Sequence, residues 1–179
     1  MADDTTPTDA SDDARDPEHE VETLHGAPVT RPRGELVLHP SRDTYLDVVS
    51  ALTESGYLMC LDVTAADYLR HPGRTDLPPG VEPERFELVV MMIDHVARSR
   101  VRLRVQVPAD DPVVASLYPL HPGTEAPERE VYDLFGIVFE GHPDLTRILM
   151  PEDWQGHPLR RDYAIGRIPV QFKGAPSAP

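Results

Sequence analysis

Residues 128–163 read EREVYDLFGIVFEGHPDLTRILMPEDWQGHPLRRDY. The first part of this stretch predicts a helix, because Val131, Leu134 and Phe135 fall at helical spacing and form one apolar stripe. Gly136 suits the left-handed residue that ends many helices. The remainder mixes aromatic and charged residues without the periodicity of a helix or a strand. We therefore expect a helix of roughly two to three turns followed by a largely irregular segment.

The residues around this helix predict its first turn, one ion pair and the element that follows it. Pro127 suits the first turn, where its missing N–H would be unpaired in any case. Arg129 and Asp133 are four residues apart, a spacing that favours an ion pair on one helix face. Residues 137–139 are apolar and are predicted to be extended before Gly141 turns the chain.

Composition and charge restrict the class of protein. The chain has 179 residues, 40% of them hydrophobic, and a net charge of −14. This length favours one domain with a modest core, and the acidic balance argues against nucleic acid or anionic lipid as a direct partner. No apolar run approaches the roughly 20 residues of a membrane-spanning helix. The only cysteine, Cys60, cannot form an intrachain disulfide or hold a metal by itself.

The two ends of the chain differ from its middle. Residues 1–24 hold nine acidic residues against Arg15 alone, a net charge of −8. Such a segment buries too little apolar surface to offset the entropy of ordering, so we predict a disordered acidic tail over residues 1–33, with a partner-binding arm as the alternative. Residues 164–179 place large apolar side chains between glycines and prolines, which predicts an extended tail lying across a neighbouring protein.

Residues 34–126 are predicted to form an α+β domain. The apolar runs at residues 35–38 and 57–64 are predicted as strands, and the second is predicted to be buried. Helical spacing between a Ser41 cap and Gly56 predicts an amphipathic helix that connects them.

The second half of this domain is predicted to contain a hairpin. Its strands are residues 85–93 and 101–107, and residues 112–118 suggest a short helix. Residues 127–163 would complete the domain and form its docking surface, and they are called the signature segment below. The predicted fold class is therefore α+β, a small mixed β-sheet covered by helices on one side, with an irregular extended C-terminal segment.

Four arginines, Arg98, Arg100, Arg102 and Arg104, lie near or along the second strand of this hairpin. The alternation of polar and apolar residues predicts that the arginines of the strand face away from the core. Two interpretations stay open: solvated strand arginines, or a basic patch for the acidic surface of a partner.

Three carboxylates of the signature segment form a candidate acid–base set, namely Glu128, Glu130 and Asp133. A general acid requires a raised pKa. Glu130 and Asp133 lie one helical turn apart among arginines, which are expected to pair with them and to hold their pKa values down, and this disfavours an acid–base role.

Two histidines and an aspartate, His142, Asp144 and His157, are candidate ligands for the metal of a free-standing metal-dependent hydrolase. The histidines are fifteen residues apart in the sequence. Preorganised metal sites use closer helical pairs, so a metal site is disfavoured as well.

The signature segment closely resembles that of the 30-kilodalton (C) subunit of proton-pumping NADH:quinone oxidoreductase, respiratory complex I. The resemblance rests on the Glu-Arg-Glu triplet at residues 128–130, Asp-Leu-Phe-Gly at 133–136, and the motifs at 141–145, 147–149 and 156–163. It assigns a structural signature and partner interface to Glu128, Arg129, Glu130, Asp133, Phe135, His142, Asp144, Arg147, His157, Arg160, Arg161, Asp162 and Tyr163. It implies no catalytic, cofactor-binding or metal-ligating residue in this chain.

The resemblance also implies a place in a larger enzyme. The chain would be a cofactor-free structural part of the peripheral arm, on the cytoplasmic side of the cell membrane. Electrons from NADH would pass through FMN and iron–sulfur clusters in partner subunits to quinone, coupled to proton translocation. The implied partners are chiefly the hydrogenase-like (D) subunit, and also the two iron–sulfur (B and I) subunits. The alternative is the equivalent subunit of a membrane-bound hydrogenase or of a complex I-like enzyme with another electron donor.

Overall fold

The computed structural model describes residues 21–164 except Pro72, and a six-stranded sheet forms its centre. The sheet order is β1-β2-β3-β6-β5-β4. The strands are β1 (Thr23–Leu24), β2 (Ala27–Thr30), β3 (Leu36–Leu38), β4 (Met59–Asp67), β5 (Phe86–Asp94) and β6 (Ser99–Val107). Neighbours are antiparallel except β3 and β6, which run parallel. A small parallel sheet pairs β7 (Val113–Ala115) with β8 (Val138–Glu140).

In the described part of the chain, two α-helices complete the fold, α1 (Tyr45–Glu54) and α2 (Glu125–Phe135). Single 3-10 turns occur at Pro32–Gly34 and Pro122–Thr124. The buried residues of both helices join one core cluster with the same face of the sheet, so the predicted α+β fold with helices on one side is confirmed. Within residues 21–71 and 73–164, neither helix is long and apolar enough to cross a membrane.

The predicted hairpin forms the centre of the core. Alternate residues of β5, including Leu88 and Val90, face the helices and pair in register with Val105 and Leu103 of β6. All four are fully buried. Complete burial of one such side chain contributes about 2 kcal/mol, so this hairpin supplies much of the apolar stabilisation of the fold.

The predicted acidic tail is too long at its C-terminal end. Residues 23–30 form β1 and β2, and Val29 of β2 pairs with Leu38 of β3. Ala27 and Val29 are buried because β2 extends the sheet over the core. Residues 1–20 lie outside the described residues, and for them the tail stays a prediction.

Two local predictions are wrong. Residues 113–115 form strand β7 and no helix, because the parallel pairing with β8 supplies hydrogen bonds that the local sequence does not reveal. Ser41 does not cap α1: the helix begins at Tyr45, after an N-cap Thr44 that makes no side-chain capping bond. The Ser41 hydroxyl instead bonds the Thr44 hydroxyl at 2.9 Å.

Strand β4 was predicted to be buried, but it lies at one edge of the sheet. Three large apolar side chains at its start are exposed: Leu58 by 70%, Met59 by 48% and Leu61 by 43%. A continuous apolar run is typical of a strand covered on both faces, but it also arises in an edge strand that keeps apolar residues at its surface.

The arginines of β6 face away from the core as predicted, but the chain itself pairs them. Arg102 binds Glu35 at 2.9 Å, and Arg104 binds Glu87 at 2.8 Å and Asp76 at 2.6 Å. Glu87 is buried and also pairs with Arg74, from the loop that precedes β5. Arg104 is therefore held in a polar network inside this chain, whereas Arg102, with 36% of its side chain exposed, is a partly solvated strand arginine paired with Glu35.

His39, just after β3, is a buried imidazole and makes the stability of the fold dependent on pH. It is 2% exposed, and its Nε2 bonds the Thr30 hydroxyl at 2.8 Å. Burial lowers the pKa of His39 to about 4, and Arg104 contributes to the lowering.

The unfolded chain therefore binds a proton at His39 below about pH 6.5, whereas the folded chain binds it only near pH 4. We expect the free energy of unfolding to fall by about 3 kcal/mol from this group as the pH drops through that window. Urea unfolding at pH 7 and pH 4.5 measures the change. His39→Gln is the matched variant, and an equal loss in both proteins would contradict the prediction.

Candidate docking site

The centre of the signature segment is Asp133, a fully buried carboxylate on α2. One of its oxygens accepts from Arg147 Nη1 at 2.5 Å, and the other accepts from the backbone N–H of Ile148, Leu149 and Met150 at 2.8–3.1 Å. Burial raises the pKa of Asp133, but the N–H of Met150 and the Arg147 guanidinium outweigh it, so the pKa lies below its usual value. The loop at residues 147–150 is therefore fixed to the helix by one ionised side chain.

The C-terminal end of α2 is capped by the last motif of the segment. Helix ends leave carbonyl groups without intrahelical partners. Here the carbonyl of Asp133 accepts from His157 Nδ1 at 3.0 Å, that of Leu134 accepts from the Leu159 N–H at 3.0 Å, and that of Phe135 accepts from Arg160 Nε at 2.5 Å. The Gly-His-Pro-Leu-Arg motif thus supplies a donor to each carbonyl in turn.

Gly136 ends the helix in the left-handed conformation that the sequence predicts, with a φ of 73°. The absence of a side chain also provides space for the capping residues. A Cβ at this position would lie 2.5 Å from both Arg160 Nη2 and His157 Nε2. The glycine therefore allows both the helix end and the close approach of the capping motif.

The N-terminal half of α2 is attached through Glu128, which is also fully buried. Its carboxylate accepts from the Ser116 hydroxyl at 2.5 Å and from the Leu117 N–H at 2.7 Å, just after β7. Burial raises the pKa of Glu128 above its usual value. The hydrogen bonds from the Ser116 hydroxyl and the Leu117 N–H lower the pKa of Glu128 less than burial raises it. A carboxylate without solvent access cannot reach a substrate, so the raised pKa does not make it a general acid.

The predicted ion pair between Arg129 and Asp133 is absent, because both residues have other partners. Arg129 donates to the Thr146 carbonyl at 3.0 Å, the Thr146 hydroxyl at 2.9 Å and the Arg147 carbonyl at 3.1 Å. Its nearest carboxylate oxygen belongs to Glu125, at 3.9 Å. Glu130 is exposed, and within the described part of the chain its carboxylate forms no salt bridge.

The three candidate metal ligands do not converge. His142 donates from Nε2 to the Glu125 carbonyl at 3.0 Å and accepts at Nδ1 from the Asp144 N–H at 3.1 Å. His157 bonds the Asp133 carbonyl, eight residues further along α2, which is about 12 Å along the helix axis. Each histidine fixes a different part of the loop to the helix, and nothing in this geometry supports the hydrolase alternative.

A second polar cluster joins the end of the segment to the sheet. Asp67, at the end of β4, binds Arg85 at 2.9 Å and accepts from the Arg161 N–H at 2.8 Å. Arg85 also binds Asp162 at 2.8 Å, and Tyr163 lies over Gly156. Sequence reasoning missed Asp67 and Arg85, because no spacing rule connects Asp67 to Arg85, 18 residues away, or to Arg161, 94 residues away.

The loop at residues 147–150 and the capping motif present apolar side chains to solvent. Leu149 is 58% exposed, Leu159 is 49% exposed and Ile148 is 41% exposed. The backbone N–H groups of Ile148 and Leu149 are bonded to Asp133, and that of Leu159 caps the helix. The segment therefore holds an apolar surface in a defined shape, which is the arrangement of a docking site.

Arg160 and Glu130 test which charges of the segment matter. Arg160→Ala is expected to lower the free energy of unfolding by about 2 kcal/mol, because it leaves the last carbonyls of α2 without their donor. Glu130→Ala is expected to change it by under about 0.5 kcal/mol, because the side chain is exposed. Urea unfolding measures both variants, and equal losses would contradict this assignment.

Comparison with known proteins identifies the family that has this segment. The sequence model of the family described as "Respiratory-chain NADH dehydrogenase, 30 Kd subunit" matches residues 38–168. The chain belongs to this family. The resemblance inferred from the sequence is thereby confirmed.

The relatives of this chain include two curated proteins, each named as the C subunit of NADH-quinone oxidoreductase. That of Saccharopolyspora erythraea is 43% identical over 154 residues, which cover 84% of this chain and 58% of the relative. That of Mycolicibacterium paratuberculosis is 44% identical over 150 residues, covering 82% of this chain and 60% of the relative. The chain thus matches about three fifths of the length of these relatives.

Two solved structures share the fold. The trypsin-resistant fragment (1-134) of Nqo5 is 34% identical, with a TM-score of 0.59 over 67% of this chain and 90% of that one. A chain of the membrane-bound sulfane sulfur reductase, an archaeal respiratory membrane complex, has a TM-score of 0.64 over 78% of each chain. Its identity is 24%, so this second likeness concerns the fold alone.

Proposed function

We propose that this chain is a cofactor-free structural subunit of the peripheral arm of an NADH:quinone oxidoreductase. The observation that carries the proposal is that buried charged groups of the signature segment form their bonds inside the chain. Asp133, Glu128 and Arg147 are all bonded within the chain. Groups held in this way stabilise a shape, and buried ionic networks of this kind specify geometry better than they add stability.

The role follows from what the shape presents. Ile148 and Leu149 expose apolar side chains on the loop at residues 147–150, and Leu159 exposes another on the capping motif, and both parts are fixed to α2. A fixed apolar surface loses little conformational entropy when it binds, so it suits a permanent contact with another subunit. The partners proposed are the hydrogenase-like (D) subunit, and also the iron–sulfur (B and I) subunits, on the cytoplasmic side of the cell membrane.

The chemistry belongs to the assembled enzyme in this proposal. Electrons from NADH pass through FMN and iron–sulfur clusters in partner subunits to ubiquinone or menaquinone, coupled to proton translocation. This chain keeps the partner subunits in register. The curated relatives at 43% and 44% identity bear the name NADH-quinone oxidoreductase, which favours NADH over another electron donor.

Purification through a tag on the full-length chain tests the function. Membranes of the native host are solubilised in mild detergent, and the proteins that co-purify are identified by mass spectrometry. We expect the subunits of the oxidoreductase in equal amounts, and NADH oxidation by an artificial acceptor in the same sample. The chain alone, purified without a metal-affinity tag, is expected to contain no stoichiometric metal, flavin or iron–sulfur cluster.

Leu149→Lys tests whether the signature segment makes the contact. The side chain is 58% exposed, so we expect an unchanged midpoint of thermal unfolding and a loss of co-purifying subunits by about tenfold or more. Leu120→Lys is the matched control, because Leu120 is 41% exposed and lies outside the segment. If both variants co-purify like the wild type, the segment is not the docking site.

A further inference from the structure

We propose that the free edge of β4 is a second docking surface, which binds an extended, carboxylate-bearing segment of a partner subunit. The inference rests on the proposed function, because it assumes that the chain lies in an assembly. It concerns the opposite end of β4 from Asp67, where the signature segment is attached.

The edge itself has the length and composition of a pairing site. Strand β4 has nine residues, and among the described residues its single strand neighbour is β5. Within residues 21–71 and 73–164, the outward N–H and C=O groups along about 30 Å of β4 therefore have no strand partner. Stable monomers protect such edges with charged residues, proline or β-bulges. The sequence of β4, MCLDVTAAD, has no lysine or proline, and near its start the protection is limited to the exposed Asp62 and the β-bulge between Cys60 and Asp62.

The start of β4 and the residue before it are also apolar and exposed. Leu58, Met59 and Leu61 are consecutive or nearly so, and they are 70%, 48% and 43% exposed. The edge backbone and these side chains together fit an extended peptide, because added strands bind through main-chain hydrogen bonds and place alternate side chains on the apolar surface. This geometry selects a strand as the occupant and not a helix.

The adjacent charges indicate carboxylates on that strand. Met59 pairs with Ile93 and Ile93 pairs with Arg100, so Arg100 lies two strand spacings from the edge, about 10 Å. Arg98 and Arg100 are exposed, and neither forms a salt bridge within residues 21–71 and 73–164, whereas Arg102 and Arg104 are paired. An open pocket of about 730 Å³ beside them is lined by Ile93 and His95.

A second copy of this chain is the less suitable occupant. The chain has a net charge of −14, and two copies would repel each other on approach. Two exposed arginines on an acidic protein instead fit the carboxylates of a different subunit, since complementary charges select a partner and orient it.

The experiment compares variants in the intact chain by the same co-purification. Leu58→Lys and Leu61→Lys, singly and together, place charges at the edge, and Arg98→Glu with Arg100→Glu reverses the charges beside it. Leu120→Lys is the control for Leu61→Lys, because the two leucines are 41% and 43% exposed. The double leucine variant and the double arginine variant are each expected to lose about tenfold or more of the co-purifying subunits, with unchanged unfolding midpoints. Hydrogen exchange on the wild type is expected to show β4 amides protected in the complex relative to the free chain.

The outcomes separate this inference from the proposed function. If the wild type and the edge variants co-purify equally with the oxidoreductase subunits, the inference about β4 is overturned and the proposed function is not. A wild type that brings down none of them overturns both. Equal exchange of β4 in the two forms, or a dimer of the free chain that the leucine variants abolish, also overturns the inference. If the double leucine variant has a lower unfolding midpoint, the co-purification of Leu58→Lys alone is used to test the inference. The Leu58 side chain is 70% exposed, so this single substitution is not expected to destabilise the fold.

Discussion

Replacing Asp133 by alanine should lower the free energy of unfolding by about 4 kcal/mol, the largest effect expected of any single change in the signature segment. The substitution removes the acceptor of three backbone N–H groups and leaves the Arg147 guanidinium without its carboxylate. Buried charges and donors that lose their partner cost more than the net value of the original bond. Urea unfolding of the full-length chain measures the loss.

Two further variants interpret that measurement. Asp133→Asn keeps the shape of the side chain but points an amide NH2 group at groups that are themselves hydrogen-bond donors. We therefore expect the free energy of unfolding to fall by about 2 kcal/mol. Asp144→Ala removes an exposed carboxylate of the same segment and is expected to cost under about 0.5 kcal/mol. If Asp133→Ala proved no worse than Asp144→Ala, the loop at residues 147–150 would not depend on the carboxylate.

Gly136→Ala should cost about 3 kcal/mol for two separable reasons. An L-residue in the left-handed region costs about 1–2 kcal/mol, and the new Cβ would displace His157 and Arg160 from the helix end. Gly141→Ala is the matched control: its φ is 84°, like the 73° of Gly136, but apart from its two chain neighbours no described residue has an atom within 4 Å of the position that a Cβ would take. We expect a loss of about 1 kcal/mol there.

The difference between these two glycine variants isolates the contact with the capping motif. In Gly136→Ala, co-purification of partner subunits is also expected to fall, because the loop that carries Leu159 loses its anchor. In Gly141→Ala it should be retained. Equal unfolding midpoints for the two variants would show that only backbone strain, and not the capping motif, makes Gly136 necessary.

Several features of the fold followed from local sequence. The apolar stripe at Val131, Leu134 and Phe135 and the glycine after it predicted α2 and its end, which the structure confirms. The alternation in residues 101–107 predicted β6 and the side of the sheet that it buries. These features depend on helical and strand periodicity and on turn residues, and such signals lie within a few residues of the element that they specify.

Other features depended on partners that are distant in the sequence. The local pattern at residues 112–118 predicted a helix, and pairing with β8 made it a strand. The apolar run at 57–64 predicted a buried strand, and the sheet order placed it at an edge. Strand pairing and burial are decided by which segments meet, and a short window of sequence does not contain that information.

For the charged residues of the site, too, the sequence determined some features and the tertiary structure determined others. The sequence by itself determined the family, the position of α2 and the set of residues that form the signature segment. Only the tertiary structure decided which partner each charge takes: Asp133 binds Arg147 and a loop backbone, Glu128 binds Ser116, and Arg160 binds carbonyl groups. The reason is physical, because hydrogen bonds form between groups within about 3 Å in space, and the irregular loop brings together residues that no repeating backbone geometry relates.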